Sequence, residues 1–162
     1  MPTIGIITVP IQDEKKTPEL KGDQYVLECN SNYMKQGGSN VVAIPYDIEP
    51  EALYALLDQI NGVLFTGGNI IMTPDHSYYH TAKRIYQYCM DKKDKFGEDF
   101  PILATCQGFQ IVALFASGDD FSIMEDIVVN RIRKVIWKDK NSEMWKGFSE
   151  SLKEKMEQQD SA

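Results

Sequence analysis

The chain has 162 residues, enough for one domain with a real hydrophobic core, and its 43% hydrophobic and 25% charged content is ordinary for a globular protein. A formal net charge of −7 argues against nucleic acid or an anionic membrane as partner, since both select for Lys and Arg and no basic cluster stands out. Three cysteines, Cys29, Cys89 and Cys106, are too few and too unevenly spaced for a disulfide framework or a zinc site, and no apolar run approaches the roughly 20 residues that span a bilayer.

Thr3-Ile4-Gly5-Ile6-Ile7-Thr8-Val9 is β-rich and nearly continuously apolar, the pattern of a parallel strand covered on both faces. Met1-Pro2-Thr3 leads straight into it with no signal-peptide pattern, so the sequence as written reads as soluble and in a reducing compartment. Pro10 ends the strand, and residues 12–21 read as a loop. A helix is expected next, carrying Tyr25, Val26, Cys29, Tyr33 and Met34 at helical spacing and stopped by Gly37-Gly38, with Cys29 a small apolar contact.

Asn40-Val41-Val42-Ala43-Ile44-Pro45 reads as the second strand. Pro50 suits a first helical position, and Leu53, Leu56, Leu57 and Ile60 make an apolar stripe behind it. After Asn61-Gly62, Val63-Leu64-Phe65 forms a third strand that ends at Thr66-Gly67-Gly68. Ser77 is placed to cap a helix bearing Tyr78, Ala82, Ile85, Tyr86 and Cys89, and residues 91–99 read as a solvated charged loop. Beyond the fourth strand, Ser117-Gly118-Asp119-Asp120 is a turn, Ile127-Val128-Val129 and Lys134-Val135-Ile136-Trp137 are short strand candidates, and Met144, Phe148, Leu152 and Met156 mark an amphipathic helix. Neither an internal repeat nor a linker marks a second domain.

The fourth strand carries the chemistry. Phe100-Pro101-Ile102-Leu103-Ala104-Thr105 stops at Cys106, and a helical pattern (Phe109, Ile111, Val112, Leu114, Phe115) starts at once, with small Ala104 and Gly108 two residues to either side. That is the layout of a nucleophile elbow, a tight strand-to-helix turn that leaves its central side chain exposed at a helix N-terminus, where the dipole favours thiolate. From this stretch alone a buried strand cysteine is an equal alternative. Four alternations of strand and helix predict an α/β fold with a parallel sheet and helices on both faces, and ligands in such sheets bind beyond the carboxyl ends of the strands. Gly67-Gly68 and Cys106 therefore share one edge.

Together these stretches resemble the γ-glutamyl hydrolases, cysteine hydrolases of the class I glutamine amidotransferase type. The matching segments run in the family's order: Ile4-Gly5-Ile6, Tyr33-Met34-Lys35, Val41-Val42-Ala43-Ile44-Pro45, residues 60–68, and the elbow from Phe100 to Gln110. The resemblance covers about residues 3–116. It implies a three-layer sandwich around a mostly parallel, flavodoxin-like sheet over residues 1–162, incomplete toward the C-terminus. It also implies hydrolysis of γ-linked glutamate from folate poly-γ-glutamates, a small-molecule substrate, through an acyl-enzyme. Carried over by position, Cys106 is the nucleophile, and the backbone N–H of Gln107 with one from Gly67 or Gly68 forms the oxyanion hole. The side chain of Gln107 has no part in that role, and the glycines read alternatively as a tight turn after the strand. Ala104 stands where the family usually has glycine and Thr66 where it usually has proline.

The family implies no cofactor and no metal. Homodimers are common in it, though no interface can be named here; its members act in lysosomes, vacuoles or outside the cell, whereas this chain, if complete, reads as cytosolic. The family's base is a histidine far downstream of the nucleophile in a His-Pro-Glu-like motif, oriented by a carboxylate. The only histidines here, His76 and His80, precede Cys106, and their spacing fits no family arrangement, so exposed or capping roles are expected of them. The sequence therefore reads as a fragment or truncation of such an enzyme with negligible turnover. Two alternatives come from other classes: a non-catalytic relative that binds an amino-acid-like ligand or a partner, and a redox-sensing cysteine. Arg84, Arg131 and Arg133 are candidates for holding glutamate carboxylates by charge alone.

Overall fold

The computed structural model describes residues 1–12, 21–68, 70–125, 133–134, 138–158 and 160–161, which fall in two compact units, Met1–Met124 and Glu125–Ala162. The first unit contains β1 (Thr3–Ile7), β2 (Val9–Pro10), β3 (Gln24–Tyr25), α1 (Glu28–Gln36), β4 (Asn40–Ile44), α2 (Pro50–Leu57), β5 (Gly62–Phe65), α3 (Ser77–Phe96), β6 (Ile102–Ala104) and α4 (Gln107–Ala116). A parallel sheet of order β4-β1-β5-β6 forms its centre. Its register pairs Ile7 with Ile44, Gly5 with Val63 and Leu64 with Leu103. This is the expected mostly parallel, flavodoxin-like α/β sheet, consistent with a class I glutamine amidotransferase-like fold.

Because strand side chains alternate, each strand feeds both faces of the sheet. Ile7, Ile44, Val63 and Phe65 join Leu53 and Leu57 of α2, Ala82 and Ile85 of α3 and Ile111 and Leu114 of α4 in one buried cluster. Each large apolar side chain fully buried there contributes about 1.5–3 kcal/mol. Ile6 and Leu64, out of phase with these, are buried on the other face. Right-handed crossovers assign that face to α1 and the first to α2 and α3, and Ile111 and Leu114 put α4 with the latter.

Four local expectations need correction. Tyr25 does not lie on α1 but in β3, where it pairs with Val9 of β2, so the chain past β1 folds back as a short antiparallel ribbon that includes Pro10. Cys29 is exposed rather than an apolar contact, since α1 is polar along most of its length and fully buries none of its residues. His76, not Ser77, caps α3: its ring Nδ1 accepts from Tyr78 N at 3.1 Å. Finally, α3 runs through the charged stretch to Phe96, where Gly97 adopts φ 66° and ends it. Lys95 and Asp91, one turn apart at 3.1 Å, and the pairs Lys92–Glu98 at 3.0 Å and Lys93–Asp99 at 2.6 Å show why those charges suit a solvated helix as well as a loop.

The turn after α4 forms as expected, with Gly118 at φ 77° and Asp119 at φ 64°. Asp119 accepts from Tyr79 Oη and pairs with Lys83, fastening this turn to α3. Hydrogen bonds from Lys83 and then Tyr79 hold its carboxyl below the ordinary aspartate range. Its folded value is the lower one, so the ionic stabilisation is complete above the unfolded value, about pH 4, and drains away as pH falls through the folded value. Asp119→Asn tolerates the left-handed backbone and is expected to cost about 1 kcal/mol at pH 7, discounted for exposure. Thermal melts should show that difference shrinking toward pH 3.

The second unit has a single-turn 3-10 helix at Glu143–Trp145, α5 (Glu150–Gln158), and β7 (Arg133–Lys134) paired antiparallel with β8 (Asp160–Ser161). The one helix expected over Met144 to Met156 is thus interrupted around Gly147, where Trp145 and Phe148 pack edge to face with centroids 5.4 Å apart. Residues 127–129 and 135–137, and most of the loop before Lys21, lie outside the described residues.

Candidate active site

β6 ends at Ala104 and α4 begins at Gln107, so Thr105 and Cys106 alone make the turn between them. Cys106 is exposed and adopts φ 55°, ψ −128°, a conformation that costs a non-glycine residue about 1–3 kcal/mol and persists only where its surroundings impose it. The surroundings are explicit. Thr105 N donates to Phe65 O at 3.0 Å, binding the turn to β5, while Thr105 O accepts from Gly108 N at 2.9 Å and Cys106 O from Phe109 N at 3.0 Å, opening α4. Gly108 then packs directly on the end of β5: a Cβ there would lie 2.4 Å from Phe65 O and 2.7 Å from Thr66 O. The small residue two positions past the cysteine is thus required by a backbone-to-backbone approach.

The loop after β5 closes over the elbow. A Cβ on Gly67 would stand 2.5 Å from Cys106 Cβ, 2.6 Å from Cys106 Sγ and 3.3 Å from Gln107 N. Glycine at 67 therefore lets the loop backbone approach the Cys106 side chain, close to the Gln107 N–H that opens α4. Gly68 has φ 111°, which only glycine adopts readily, and its carbonyl accepts from Tyr25 Oη at 3.4 Å. Cys106, Gln107, Gly67 and Gly68 are thus brought together on one sheet edge.

Several groups around this edge escape a reading of the sequence. The Gln107 side chain accepts from Ile70 N at 3.0 Å through Oε1, whereas the motif assigns a role to its backbone alone. Thr8, buried just past β1, donates to Gln24 Oε1 at 2.5 Å and accepts from Tyr46 N at 2.8 Å, tying the β2–β3 ribbon to the end of β4. No motif flags these residues. Period-2 pairing of Val9 with Tyr25 across a long loop is the only available signal, and helical spacing masks it.

The two histidines take the capping and exposed places expected of them. His76 caps α3 and stacks on Tyr46 at 5.7 Å, while His80 is exposed on α3 and lines an α2–α3 groove with Tyr54, Lys83, Arg84 and Gln87. Among the described residues, no histidine or carboxylate hydrogen-bonds Cys106, and no group of three or more His, Cys, Asp or Glu could hold a metal. Arg131 and the side chain of Arg133 lie outside what the structure describes. Cys89 donates to Phe100 O at 2.8 Å, and burial, followed by the charge of Asp99, pushes its thiol up. No described helix is long and apolar enough to cross a membrane.

The sequence profile of the family described as Peptidase C26 matches residues 2–143. The chain is similar to γ-glutamyl hydrolase B of Dictyostelium discoideum, with 32% identity over 77% of this chain and 35% of the relative. Similarity to the probable γ-glutamyl hydrolase 3 of Arabidopsis thaliana is 33% over 72% of this chain and 34% of that protein. Against the human γ-glutamyl hydrolase it is 29% over 78% of this chain and 39% of that one. The chain therefore spans about a third of the length of these relatives.

Proposed function

The chain belongs to the peptidase C26 family, and on that premise we propose that residues 1–162 form one glutamine amidotransferase-like domain carrying the nucleophilic half of a γ-glutamyl-hydrolase-like site. The Cys106 sulfur attacks the γ-amide carbonyl of a poly-γ-glutamate, of the kind folates carry, and the carbonyl π pair moves onto oxygen. The N–H of Gln107 and one from Gly67 or Gly68 receive that developing charge. Collapse of the tetrahedral species breaks the C–N bond, the amine leaves with a proton, and water later hydrolyses the thioester. Preorganised donors usually lower the barrier of such a reaction more than any other single effect, and losing one typically costs about 2.7–4 kcal/mol.

One observation carries this reading: the Gly67 backbone lies so close to the elbow that a Cβ on it would stand 2.6 Å from Cys106 Sγ and 3.3 Å from Gln107 N. A tight turn alone has no reason to press its backbone against a cysteine in the turn after another strand. The γ-glutamyl hydrolases among its relatives support the substrate class.

No histidine follows Cys106 in these 162 residues, so tested by themselves they are expected to supply no general base downstream of the nucleophile. An elbow with donors but no base keeps only part of the rate enhancement. Glutamate release from γ-glutamyl peptides is therefore expected to be negligible, and free imidazole, supplied as a base, is expected to raise it in the wild type but not in Cys106→Ser. Imidazole-stimulated release that survives Cys106→Ser would remove Cys106 from the reaction. Because binding needs only the loops, a second reading is a cleft that binds a γ-glutamyl ligand without turning it over. Calorimetry with a γ-glutamyl peptide would support it if affinity is unchanged by Cys106→Ala and imidazole elicits no release.

A further inference from the structure

We propose that the Gln107 side chain is a positioning residue that clamps the Gly67-Gly68 loop onto the elbow, an inference that rests on Cys106 being the nucleophile. The Gly67-Gly68 loop leaves β5 at Phe65, whose carbonyl accepts from Thr105 N at 3.0 Å. At the far end of the loop, Ile70 N donates to Gln107 Oε1 at 3.0 Å. The loop is thus fastened to the elbow at both ends, once on each side of Cys106. Ile70 is 5% exposed and belongs to the core cluster, so this second fastening joins α4 to an anchored point rather than to a free strand of loop. Between the two ends, Tyr25 Oη donates to the Gly68 carbonyl at 3.4 Å.

The glycine pair needs such help. Glycine loses more backbone freedom on ordering than any other residue, and neither Gly67 nor Gly68 has a side chain with which to pack. A donor contributes to catalysis to the extent that it is already aimed when charge develops. Helix formation does not explain glutamine at 107, because leucine has equal helix propensity. What glutamine adds is an acceptor at the right reach for Ile70 N.

Two reactions separate aiming from thiol chemistry. Alkylation of Cys106 by iodoacetamide displaces iodide and builds no oxyanion. Acylation by an activated γ-glutamyl ester passes through a tetrahedral oxyanion that needs the loop. In Gln107→Leu the acylation rate is expected to fall about tenfold, less than the roughly 100-fold or more of a donor removed outright because the donor is misaimed rather than lost, while alkylation is unchanged and the Ile70 amide exchanges faster with solvent. Gln107→Glu keeps the acceptor, and its charge is tolerated at a helix N-terminus. It is expected to keep Ile70 protected and to recover most of the acylation. The clamp is overturned if Gln107→Leu keeps its acylation-to-alkylation ratio although Ile70 exchange accelerates. It is overturned equally if Gln107→Glu falls as far as Gln107→Leu with Ile70 still protected. If wild-type Cys106 shows no higher ratio than the exposed Cys29, the nucleophile assignment itself fails instead.

Discussion

Gly108→Ala is expected to destabilise the unit Met1–Met124 by about 3 kcal/mol, the upper end of what overpacking costs. The added Cβ would meet Phe65 O at 2.4 Å, Phe65 C at 2.6 Å and Thr66 O at 2.7 Å. All three are backbone atoms, at the end of a fully buried strand, so no side-chain rotation relieves the clash. Relief requires α4 to withdraw from β5, which pulls Ile111 and Leu114 out of register with Phe65 in the core. A change of that size lowers the melting temperature of a domain this large by roughly 10 °C. Gly118→Ala provides the contrast. It places alanine in the turn just past α4, at φ 77°, but nothing lies within 4 Å of its Cβ. It incurs only backbone strain and should melt clearly above Gly108→Ala.

Gly67→Ala is expected to act on chemistry more than on stability. Its methyl would overlap Cys106 Cβ and Sγ, at 2.5 and 2.6 Å, so either the cysteine side chain turns away or the loop lifts from the elbow. Each response separates the sulfur from the donors. Acylation of Cys106 by an activated γ-glutamyl ester should fall about 100-fold, the low end for loss of an oxyanion donor. The site lies beyond the strand end, so the core cluster is untouched and the melting temperature should drop far less than for Gly108→Ala. Unchanged acylation in Gly67→Ala would mean that the loop takes no part.

Much of this architecture is legible in the sequence because local and global signals agree. The four strands of the sheet announce themselves through short apolar runs ended by Pro, Gly or Cys, and α2 through Pro50 and its leucine stripe. The elbow is legible for the same reason: Ala104 and Gly108 flank Cys106 because the turn and the close approach to Phe65 admit little bulk. Sequence reading fails where two structures share one pattern. The charges of residues 91–96 serve an exposed helix as readily as a loop, and only ion pairs and Gly97 decide between them. Tyr25 and Cys29 share a helical spacing by coincidence, and the β2–β3 pairing is a long-range contact with no local trace. Motif logic reaches Gln107 only through its backbone, whereas its amide oxygen meets Ile70 N, a partner 37 positions away.

The most direct test is to treat the chain with an activated γ-glutamyl ester and map the adduct by peptide mass. Cys29 and Cys106 are both exposed, so exposure alone predicts that both react. Cys89 is half-buried with its thiol held on Phe100 O, and serves as the unreactive control. A nucleophile elbow backed by the Gln107 and glycine-loop donors predicts a γ-glutamyl thioester on Cys106 well before any on Cys29, and none at that position in Cys106→Ser. Equal acylation of Cys29 and Cys106 would contradict it.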